Sequence, residues 1–314
     1  MRAVTIVDGG LQWSTHSDPE PSGTEILVAV RAAGLNAADL LQRRGLYPAP
    51  PGVPPDIPGL ELAGEVVALG RRASRFDVGD RVMALVGGGA QAELAAVDET
   101  SAWAVPADVP WKEAGGFPEG FTTAYDALFS QCGMAVGDRL LVTGAAGGVG
   151  TAAVQLAAVS GVSVVASIRA VEHRAVVKAL GAMSALDPEE ALRRGPFDVA
   201  LELVGGSSLP GVLRAMAVGG RITVIGVGGG ASTELELLEL MQRRARIGGS
   251  TLRARSGTEK ALVVAEVESH VVPLFVSRRV RVPVHATFSM ESAADAYACF
   301  EAGKKLGKIV LVAN

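Results

Sequence analysis

The chain has 314 residues, of which 49% are hydrophobic and 4% aromatic, and its formal net charge is −4. This length suggests about two domains, and the acidic balance without a basic patch argues against nucleic acid as a partner. No apolar run is long enough to span a bilayer. The two cysteines argue against a disulfide framework, and the N-terminus is predicted to be a strand rather than a signal peptide, so a cytoplasmic protein is expected.

The first third of the chain is predicted to be rich in strands and turns. Glycine, proline and aspartate separate its apolar stretches, and one helix is predicted over Ala37–Arg44. The run Pro48–Pro55 must form a loop, because proline can continue neither a helix nor a central strand. The predicted strands are Ala3–Val7, Glu25–Ala32, Glu61–Leu69, Arg81–Leu85 and Ala92–Val97.

From about Ala114 onward, helical stretches alternate with short apolar strands. This alternation predicts a parallel sheet with helices on both faces. The predicted helices are Gly115–Phe129, Thr151–Ser160, Ala170–Leu180, Pro188–Arg194, Ser208–Ala215 and Thr233–Arg244. The predicted strands are Arg139–Thr143, Val162–Ser167, Val199–Leu203, Arg221–Ile225 and Arg246–Ser250.

The last part of the chain is predicted to return to the first domain, because it is too small to form a core alone. Its predicted elements are a helix from Gly257 to about Phe275, a strand near Ala286, a helix over Ser292–Ala302 and a strand over Lys308–Val312. The predicted domains are therefore residues 1–114 with 256–314, and residues 115–255.

The most informative segment is Leu140–Gly150, in which a buried strand is followed by a glycine-rich turn and a helix. The spacing Ala145-x-Gly147-x-x-Gly150 is the dinucleotide fingerprint with alanine at its first glycine. Free N–H groups and the positive helix end would face an anion there. The alternative is a turn that only allows close packing of helix and sheet. The predicted cofactor contacts are Ala145, Gly147, Gly148, Val149 and Gly150.

The end of the second strand of this unit predicts which nicotinamide cofactor binds. NAD-selective domains carry an acid there, about 20 residues after the turn, whereas this chain has Ser167, Ile168 and Arg169, with Arg174 one helical turn further. Without a carboxylate, a 2′-phosphate is not repelled, and arginine can bind it in a bidentate manner. NADPH is therefore expected. The alternative is that both arginines are solvated charges, and Glu172 could pair with either.

Four segments, in the same order, resemble the medium-chain dehydrogenase/reductase superfamily and, more narrowly, its zinc-free (zeta-crystallin-like) quinone oxidoreductase branch. They are Gly34–Tyr47, Pro58–Val66, the Ala145–Gly150 turn and Gly307–Leu311. The resemblance spans nearly the whole chain. It implies an α/β protein in which a Rossmann domain with a doubly wound parallel sheet interrupts a GroES-like, β-rich catalytic domain, with the active site in the cleft between them.

The resemblance also implies further cofactor contacts. One lies in the helix that leads into the Rossmann domain, two follow a strand over the nicotinamide, and three basic residues would reach the cofactor from the domain junction and the closing strand. The alternative for each is ordinary packing or surface charge. These residues are Thr123, Gly226, Val227, Arg253, Arg255 and Lys308.

No metal site is expected. Zinc-dependent members of the superfamily carry Cys where Asn36 stands, His where Leu60 stands, and usually Cys where Glu119 stands. An asparagine amide is a poor zinc ligand and leucine provides none. The four histidines lack any ligand spacing, and two distant cysteines cannot supply a structural zinc lobe. Glu119 could instead narrow the acceptor pocket, or it could be an acid in the first turn of a helix that interacts favourably with the helix dipole.

The expected reaction is hydride transfer from NADPH to a quinone. The amide of Asn36 is the first candidate for stabilising the developing oxyanion. Tyr47 is the candidate for orienting the acceptor or relaying a proton, because a phenol is a donor at neutral pH, and Asp39 is expected to fix the Asn36 loop. The alternatives without a catalytic role are that Asn36 only caps the loop and that Tyr47 only packs on prolines.

The sequence is also compatible with two other functions. The same geometry would serve reduction of α,β-unsaturated carbonyls such as alkenals, enones or enoyl groups. A non-catalytic nucleotide-binding protein is the third possibility. A homodimer is also expected, because the last Rossmann strand, about Arg246–Ser250, would otherwise leave an open sheet edge.

Overall fold

The computed structural model describes residues 1–313, which form two compact units. Unit 1 comprises residues 1–120 and 252–313, and unit 2 comprises residues 121–251. No helix within residues 1–313 has both the length and the apolar character needed to cross a membrane.

Strands dominate the first part of the chain, and strands and helices alternate from Arg139 onward. In chain order the strands are β1 (Arg2–Val7), β2 (Gly10–Thr15), β3 (Glu25–Gly34), β4 (Glu61–Leu69), β5 (Arg81–Leu85), β6 (Leu94–Asp98), β7 (Ala102–Ala104), β8 (Arg139–Val142), β9 (Ser163–Ser167), β10 (Ser184–Leu186), β11 (Phe197–Glu202), β12 (Met216–Val224), β13 (Arg246–Gly249), β14 (Val284–Ser289) and β15 (Lys308–Val312).

The helices are concentrated in the second half of the chain. They are α1 (Ala37–Arg43), α2 (Trp111–Ala114), α3 (Pro118–Tyr125), α4 (Gly148–Val159), α5 (Val171–Ala179), α6 (Pro188–Leu192), α7 (Ser208–Arg214), α8 (Leu237–Arg243), α9 (Gly257–His270), α10 (Val272–Val276) and α11 (Ala293–Glu301). A π-helical segment, Asp126–Gln131, follows α3 directly.

Unit 1 is built on a mostly antiparallel sheet. Its strand order is β14-β15-β3-β4-β5-β7, and β6 also pairs with β3. Ile26, Val28 and Val30 are buried at alternate positions of β3, as the side-chain period of two requires. The segment after unit 2 contributes β14, β15 and α11 to this unit, so the end of the chain completes the sheet that the beginning starts.

Unit 2 is built on a fully parallel sheet with the strand order β10-β9-β8-β11-β12-β13. The first of these strands in the chain, β8, lies in the middle, with β9 on one side and β11 on the other. The strand order therefore reverses between β8 and β11, and open parallel sheets bind ligands beyond the carboxyl ends of strands at such a point. Leu140, Leu141 and Val142 are fully buried there.

The predicted fold class is confirmed: a β-rich unit carries a parallel-sheet unit inserted in its chain. Three predicted helices are wrong in extent. The one predicted over Thr233–Arg244 begins only at Leu237. The stretch 115–129 starts its helix only at Pro118, and after Tyr125 the turns widen to π-helix, as the bond from the Cys132 N–H to the Ala127 carbonyl shows (3.2 Å). The helix after Gly257 ends at His270, and Pro273 lies in the first turn of a separate helix, α10.

Candidate active site

The glycine-rich turn of unit 2 leads from the buried strand β8 into α4. Gly147 is the N-cap residue of α4, with extended backbone angles, and the Thr151 N–H donates to its carbonyl at 2.8 Å. The N–H groups of Gly148, Val149 and Gly150 precede that bond, so they belong to the helix end whose donors have no partner in a preceding turn. This turn thus presents donors and the positive end of a helix dipole in one direction.

Two glycines of this turn face different steric demands. A Cβ at Gly150 would lie 2.6 Å from the Ala145 Cα and 2.7 Å from the Gly144 carbonyl oxygen, so close packing of turn and helix requires glycine there. A Cβ at Gly147 would meet only the Gly144 carbonyl oxygen, at 3.6 Å. The protein itself therefore leaves room for a side chain at Gly147, and a ligand that approaches the backbone would fill that room.

The end of β9 lies beside the turn, since the Ala145 N–H donates to the Ser167 carbonyl at 3.3 Å. Ile168 is buried, so an apolar side chain occupies the position where NAD-selective domains carry an acid. Arg169 is exposed, and no ion pair joins it or Arg174 to Glu172 within residues 1–313. Arg174 donates from Nε to the Ile168 carbonyl at 3.2 Å.

A buried carboxylate, Glu202, closes the carboxyl end of β11 next to the turn, and sequence reasoning missed it. One of its oxygens accepts from the Thr143 hydroxyl (2.9 Å) and from the N–H groups of Val204 (2.7 Å) and Gly205 (2.8 Å). The other accepts from the Ser208 hydroxyl at 2.9 Å. The carboxylate thereby fixes the loop that follows β11.

Gly226 and Val227 follow β12 and pack against that loop. The Gly226 N–H donates to the Glu202 carbonyl at 3.2 Å, and the Gly229 N–H donates to the Val204 carbonyl at 2.7 Å. Val227 is partly exposed. Thr123 is buried on α3 and is the third residue of unit 2.

In unit 1, a buried ammonium lies where the sequence predicted a cofactor contact. Lys308 is 3% exposed, and it donates to the Leu35 carbonyl (3.0 Å) and to Asn36 Oδ1 (2.7 Å). It also forms an ion pair with Glu61, which is fully buried and accepts from the Glu119 N–H at 2.9 Å. All three ammonium hydrogens of Lys308 therefore have acceptors inside unit 1.

The amide of Asn36 is held by the same cluster. Its Nδ2 donates to Glu61 at 3.0 Å and to the Gly34 carbonyl at 3.4 Å, while Oδ1 accepts from Lys308. The opposite amide orientation would set an NH₂ against an ammonium and an oxygen against a carboxylate, so the charges determine the orientation. Both donors of this amide are thus engaged within the protein.

Asp39 fixes the loop that carries Asn36. Its carboxylate accepts from the Asn36 N–H at 2.8 Å and from the Gly59 N–H at 3.1 Å. The side chain is completely buried, and this burial raises the pKa of Asp39 from 3.8 to about 6, against the lowering effect of both backbone donors and of Lys308.

Tyr47 lies half-buried at the start of the proline-rich loop, with the Arg253 guanidinium 5.1 Å from its ring centroid. Burial, assisted by the negative charge of Glu119, raises the pKa of Tyr47 despite the opposing effect of Arg253. The phenol is therefore protonated at neutral pH and can donate a hydrogen bond.

Lys260 on α9 belongs to the same group of charges in unit 1. Burial lowers the pKa of Lys260, the nearby Arg253 adds to this, and Glu119 opposes it. Arg253 is itself buried, whereas Arg255 is half-buried in the turn before α9 and its N–H donates to the Leu252 carbonyl at 3.1 Å.

Within residues 1–313, no group of three or more His, Cys, Asp or Glu side chains could hold a metal ion. The positions that bind zinc in zinc-dependent relatives carry Asn36, whose amide is engaged, and Leu60, which is buried. These residues do not offer a donor set that suits zinc.

Glu61, Glu202 and Lys308 could have been recognised as buried charges from their neighbours. Leu60, Leu62 and Ala63 flank Glu61, and Ile309 and Val310 follow Lys308, so each of these two charged residues lies at the start of a strand directly beside apolar residues. Such charges are almost never fully buried unless they are paired. The sequence gives no indication of which acid pairs with which base, because Glu61 and Lys308 lie in distant parts of the chain.

Two protein families match the sequence. Residues 22–107 match the alcohol dehydrogenase GroES-like domain, and residues 148–268 match the family described as zinc-binding dehydrogenase. Together these matches cover more than half of the chain. They fall on unit 1 and largely on unit 2, respectively.

Individual proteins resemble the chain over most of its length. A quinone oxidoreductase-like protein 2 homolog of Nematostella vectensis is 29% identical over 300 residues, which are 92% of this chain and 81% of that protein. A quinone oxidoreductase of Lama guanicoe is 31% identical over 268 residues, which are 80% of each. A mycobacterial protein solved in complex with NADPH has 25% identity and a TM-score of 0.87, with 99% of this chain and 100% of that chain covered.

Proposed function

The chain belongs to the medium-chain dehydrogenase/reductase superfamily of oxidoreductases, in its quinone oxidoreductase-like branch, and on this premise we propose that it is an NADPH-dependent reductase that transfers a hydride to a quinone. Unit 2 binds the cofactor and unit 1 binds and orients the quinone. No metal ion takes part.

The proposal rests above all on the turn at Gly147. Room for a Cβ exists there in the protein, yet the position is glycine, which suits the close approach of a pyrophosphate to the backbone. The N–H groups of Gly148, Val149 and Gly150 bind the phosphates at the start of α4. Ala145 and Ser167 line the adjacent strand ends.

The preference for NADPH over NADH is supported by the end of β9. Ile168 is buried and brings no negative charge against a 2′-phosphate. The exposed Arg169 binds that phosphate, and Arg174 contributes its remaining guanidinium donors. Thr123, Gly226 and Val227 are assigned to the nicotinamide end of the cofactor.

NADPH, when bound, supplies the hydride. The chain's own contribution is to orient the acceptor and to stabilise the negative charge that develops on its oxygen. Tyr47 is the donor best suited to that oxygen, because its phenol is protonated at neutral pH. Asn36 has both amide hydrogens engaged, so it acts on the site through Lys308 and Glu61 rather than as the first donor to the acceptor.

Independence of zinc is supported by the side chains at the positions of the metal ligands. An amide and a buried leucine replace two ligands, and the Lys308 ammonium provides the positive charge beside Glu61. A cation fixed by three acceptors would also disfavour a metal ion in its vicinity through repulsion.

Steady-state turnover tests this proposal. NADPH oxidation is followed with 1,4-benzoquinone, with an alkenal and with no acceptor, and each reaction is repeated with NADH. The proposal predicts turnover with the quinone, at a higher kcat/KM for NADPH than for NADH. Turnover with the alkenal alone would contradict the quinone assignment and favour reduction of α,β-unsaturated carbonyls. NADPH binding without turnover of any acceptor would contradict an enzymatic function.

A further inference from the structure

Arg253 is a buried guanidinium whose donors are directed at neutral oxygen atoms of unit 1. The side chain is 5% exposed. Its Nε donates to the Gly87 carbonyl at 2.8 Å and its Nη1 to the Tyr47 carbonyl at 2.8 Å. Its Nη2 donates to Gln42 Oε1 at 2.6 Å. No carboxylate within residues 1–313 forms an ion pair with it.

These contacts fix both ends of the proline-rich loop, residues 48–55. Arg253 binds the carbonyl of Tyr47, immediately before the loop. Gln42, on α1, accepts from Arg253 and donates from Nε2 to the Pro55 carbonyl at 3.0 Å, at the end of the loop. A single guanidinium therefore connects, directly or through one amide, the two ends of an eight-residue segment.

The middle of the loop packs on the glycine run of residues 87–89, and Arg253 donates a hydrogen bond to the first of these glycines. A Cβ at Gly87 would lie 3.1 Å from both Pro50 and Val53. A Cβ at Gly88 would lie 2.6 Å from Val53 and 3.5 Å from the Arg253 guanidinium. Loop and glycine run are thus in contact, and Arg253 is bonded to both of them.

Burying a guanidinium without a carboxylate partner is unfavourable unless its hydrogen bonds are well made. Burial accordingly lowers the pKa of Arg253, although the nearby carboxyl groups of Asp39 and Glu119, neither of which is in ion-pair contact with it, act in the opposite direction. A planar fork with fixed donor directions suits three separate carbonyl-type acceptors, which the point-like ammonium of lysine cannot match. A role in packing alone would be served by an apolar side chain at lower cost.

We propose that Arg253 is a positioning residue that sets the location of the Tyr47 ring and of the proline-rich loop, and through them selects and orients the acceptor. It acts on the acceptor through Tyr47, whose ring faces the guanidinium. This inference rests on the proposed function for its catalytic consequence. Its structural part, the fixing of Tyr47, does not depend on which reaction the protein performs.

Kinetics of variants test the catalytic part. Arg253→Lys keeps the positive charge but loses the planar guanidinium with its three fixed donor directions. Gln42→Leu keeps the bond from Arg253 to the Tyr47 carbonyl and removes the bond from Gln42 to the Pro55 carbonyl. We expect each to lower kcat/KM for the quinone by about 10- to 100-fold, because misplacement of a reacting group by about 1 Å costs that much. The KM for NADPH should change by less than about threefold. In the Tyr47→Phe background, Arg253→Lys should cause a smaller loss than in the wild-type background, because only its effect through the proline-rich loop remains.

Arg81→Met is the matched control. Arg81 is another arginine of unit 1 that lies over an aromatic ring, that of Trp111, and donates to a backbone carbonyl, that of Val109. Its removal should lower the melting temperature and leave kcat/KM for the quinone unchanged. Equal kinetic losses in Arg81→Met and Arg253→Lys, or losses that multiply in the Tyr47→Phe background, would overturn the proposal.

A second readout separates the positioning role from the reaction. The chain has three tyrosines, so ring-labelled tyrosine gives a resolvable NMR spectrum. Arg253→Lys should shift the Tyr47 resonances towards those of a mobile ring, whereas Arg81→Met should leave them in place. Unchanged Tyr47 resonances in Arg253→Lys would overturn the inference. If the wild-type protein reduced no acceptor while these shifts occurred, the proposed function would fail and the positioning role would stand.

Discussion

At the scale of single residues, the buried charges of unit 1 identify the site more clearly than its surface does. Lys308 and Glu61 form an ion pair away from solvent, and the Asn36 amide bonds to both. Removing charges from water costs several kcal/mol per ion, which a pair only partly regains. Such a cluster is therefore weak evidence for stability and stronger evidence for a defined arrangement of the loop that bears Asn36.

Asp39 gives this site an unusual dependence of stability on pH. Its pKa is about 6 in the native state and near 3.8 in the unfolded chain. Between these values the native state holds a proton that the unfolded chain has released, so the free energy of unfolding falls as pH rises through this window. The ionised carboxylate costs the native state on the order of 3 kcal/mol.

Urea unfolding of the wild-type protein and of Asp39→Asn measures this effect. From about pH 5 to pH 7, the free energy of unfolding of the wild-type protein should fall by about 1 kcal/mol relative to that of the variant. If the free energy of unfolding of the wild-type protein, relative to that of the variant, stays constant from pH 5 to pH 7, the Asp39 carboxyl is ionised throughout the range and the prediction fails.

Arg169 determines the cofactor preference if the 2′-phosphate binds at the end of β9. Arg169→Ala should raise the KM for NADPH by about tenfold, since one charge-assisted contact is worth about 1.4 kcal/mol, and should leave the KM for NADH unchanged. The effect should weaken as the salt concentration rises. Arg193→Ala, which removes another exposed arginine of unit 2, is the control. Parallel changes in both KM values would contradict the assignment.

At the scale of elements, the turn before α4 combines a steric requirement of the fold with one that comes from the ligand. Gly150→Ala should destabilise the protein, because its Cβ would lie 2.6 Å from the Ala145 Cα. Gly147→Ala should leave the melting temperature nearly unchanged and weaken NADPH binding by at least about tenfold, because only the ligand needs that space.

Titration of NADPH fluorescence and thermal unfolding give the two readouts for this pair of variants. Gly257→Ala, where a Cβ meets nothing within 4 Å, is the matched control for a glycine replaced at a helix start. Wild-type affinity in Gly147→Ala would remove the turn from the cofactor site.

The elements that the sequence predicted well are those with a strong local signal. Strand β8, the glycine turn and α4 lie where they were expected, because an apolar strand, tight glycines and a long apolar helix are each readable locally. The hairpin strand β2 was missed although Asp8 and Gly9 are the residues that a two-residue turn favours; both have positive φ angles.

The site was less predictable than the fold because its contacts join distant segments. Asn36, Asp39 and Tyr47 were singled out from one local stretch, and in the structure the Asp39 carboxylate accepts from the Asn36 N–H. The bonds from Arg253 to Gln42, Tyr47 and Gly87 have no local signature, because their register depends on how unit 1 folds as a whole.

At the scale of the whole molecule, one of the two edges of the unit 2 sheet, the one formed by β13, predicts self-association; β10 forms the other edge. Strand β13 is the last strand of the sheet, and the neighbouring helix α8 exposes Leu237 (66%), Leu238 and Met241 (70%). An open edge beside apolar side chains suits a second copy of the same chain, joined across a two-fold axis. Light scattering should therefore give twice the chain mass of 32.1 kDa.

If the expected dimer forms through this edge, Leu238→Glu with Met241→Glu should convert it to a monomer, because two charges would be buried in each half of the interface. Val136→Glu, at another exposed apolar residue of unit 2, should remain dimeric. A monomeric mass for the wild-type protein would refute the expectation outright.

One measurement tests most directly whether the protein transfers a hydride from NADPH to a quinone without zinc. Protein treated with a strong chelator and checked for metal content is assayed for oxidation of NADPH and of its 4-deuterated form by 1,4-benzoquinone. We predict unchanged activity after chelation and slower single-turnover oxidation of the deuterated cofactor. Activity that is lost on chelation and restored by zinc, or no oxidation of NADPH by the quinone in either sample, would contradict this prediction.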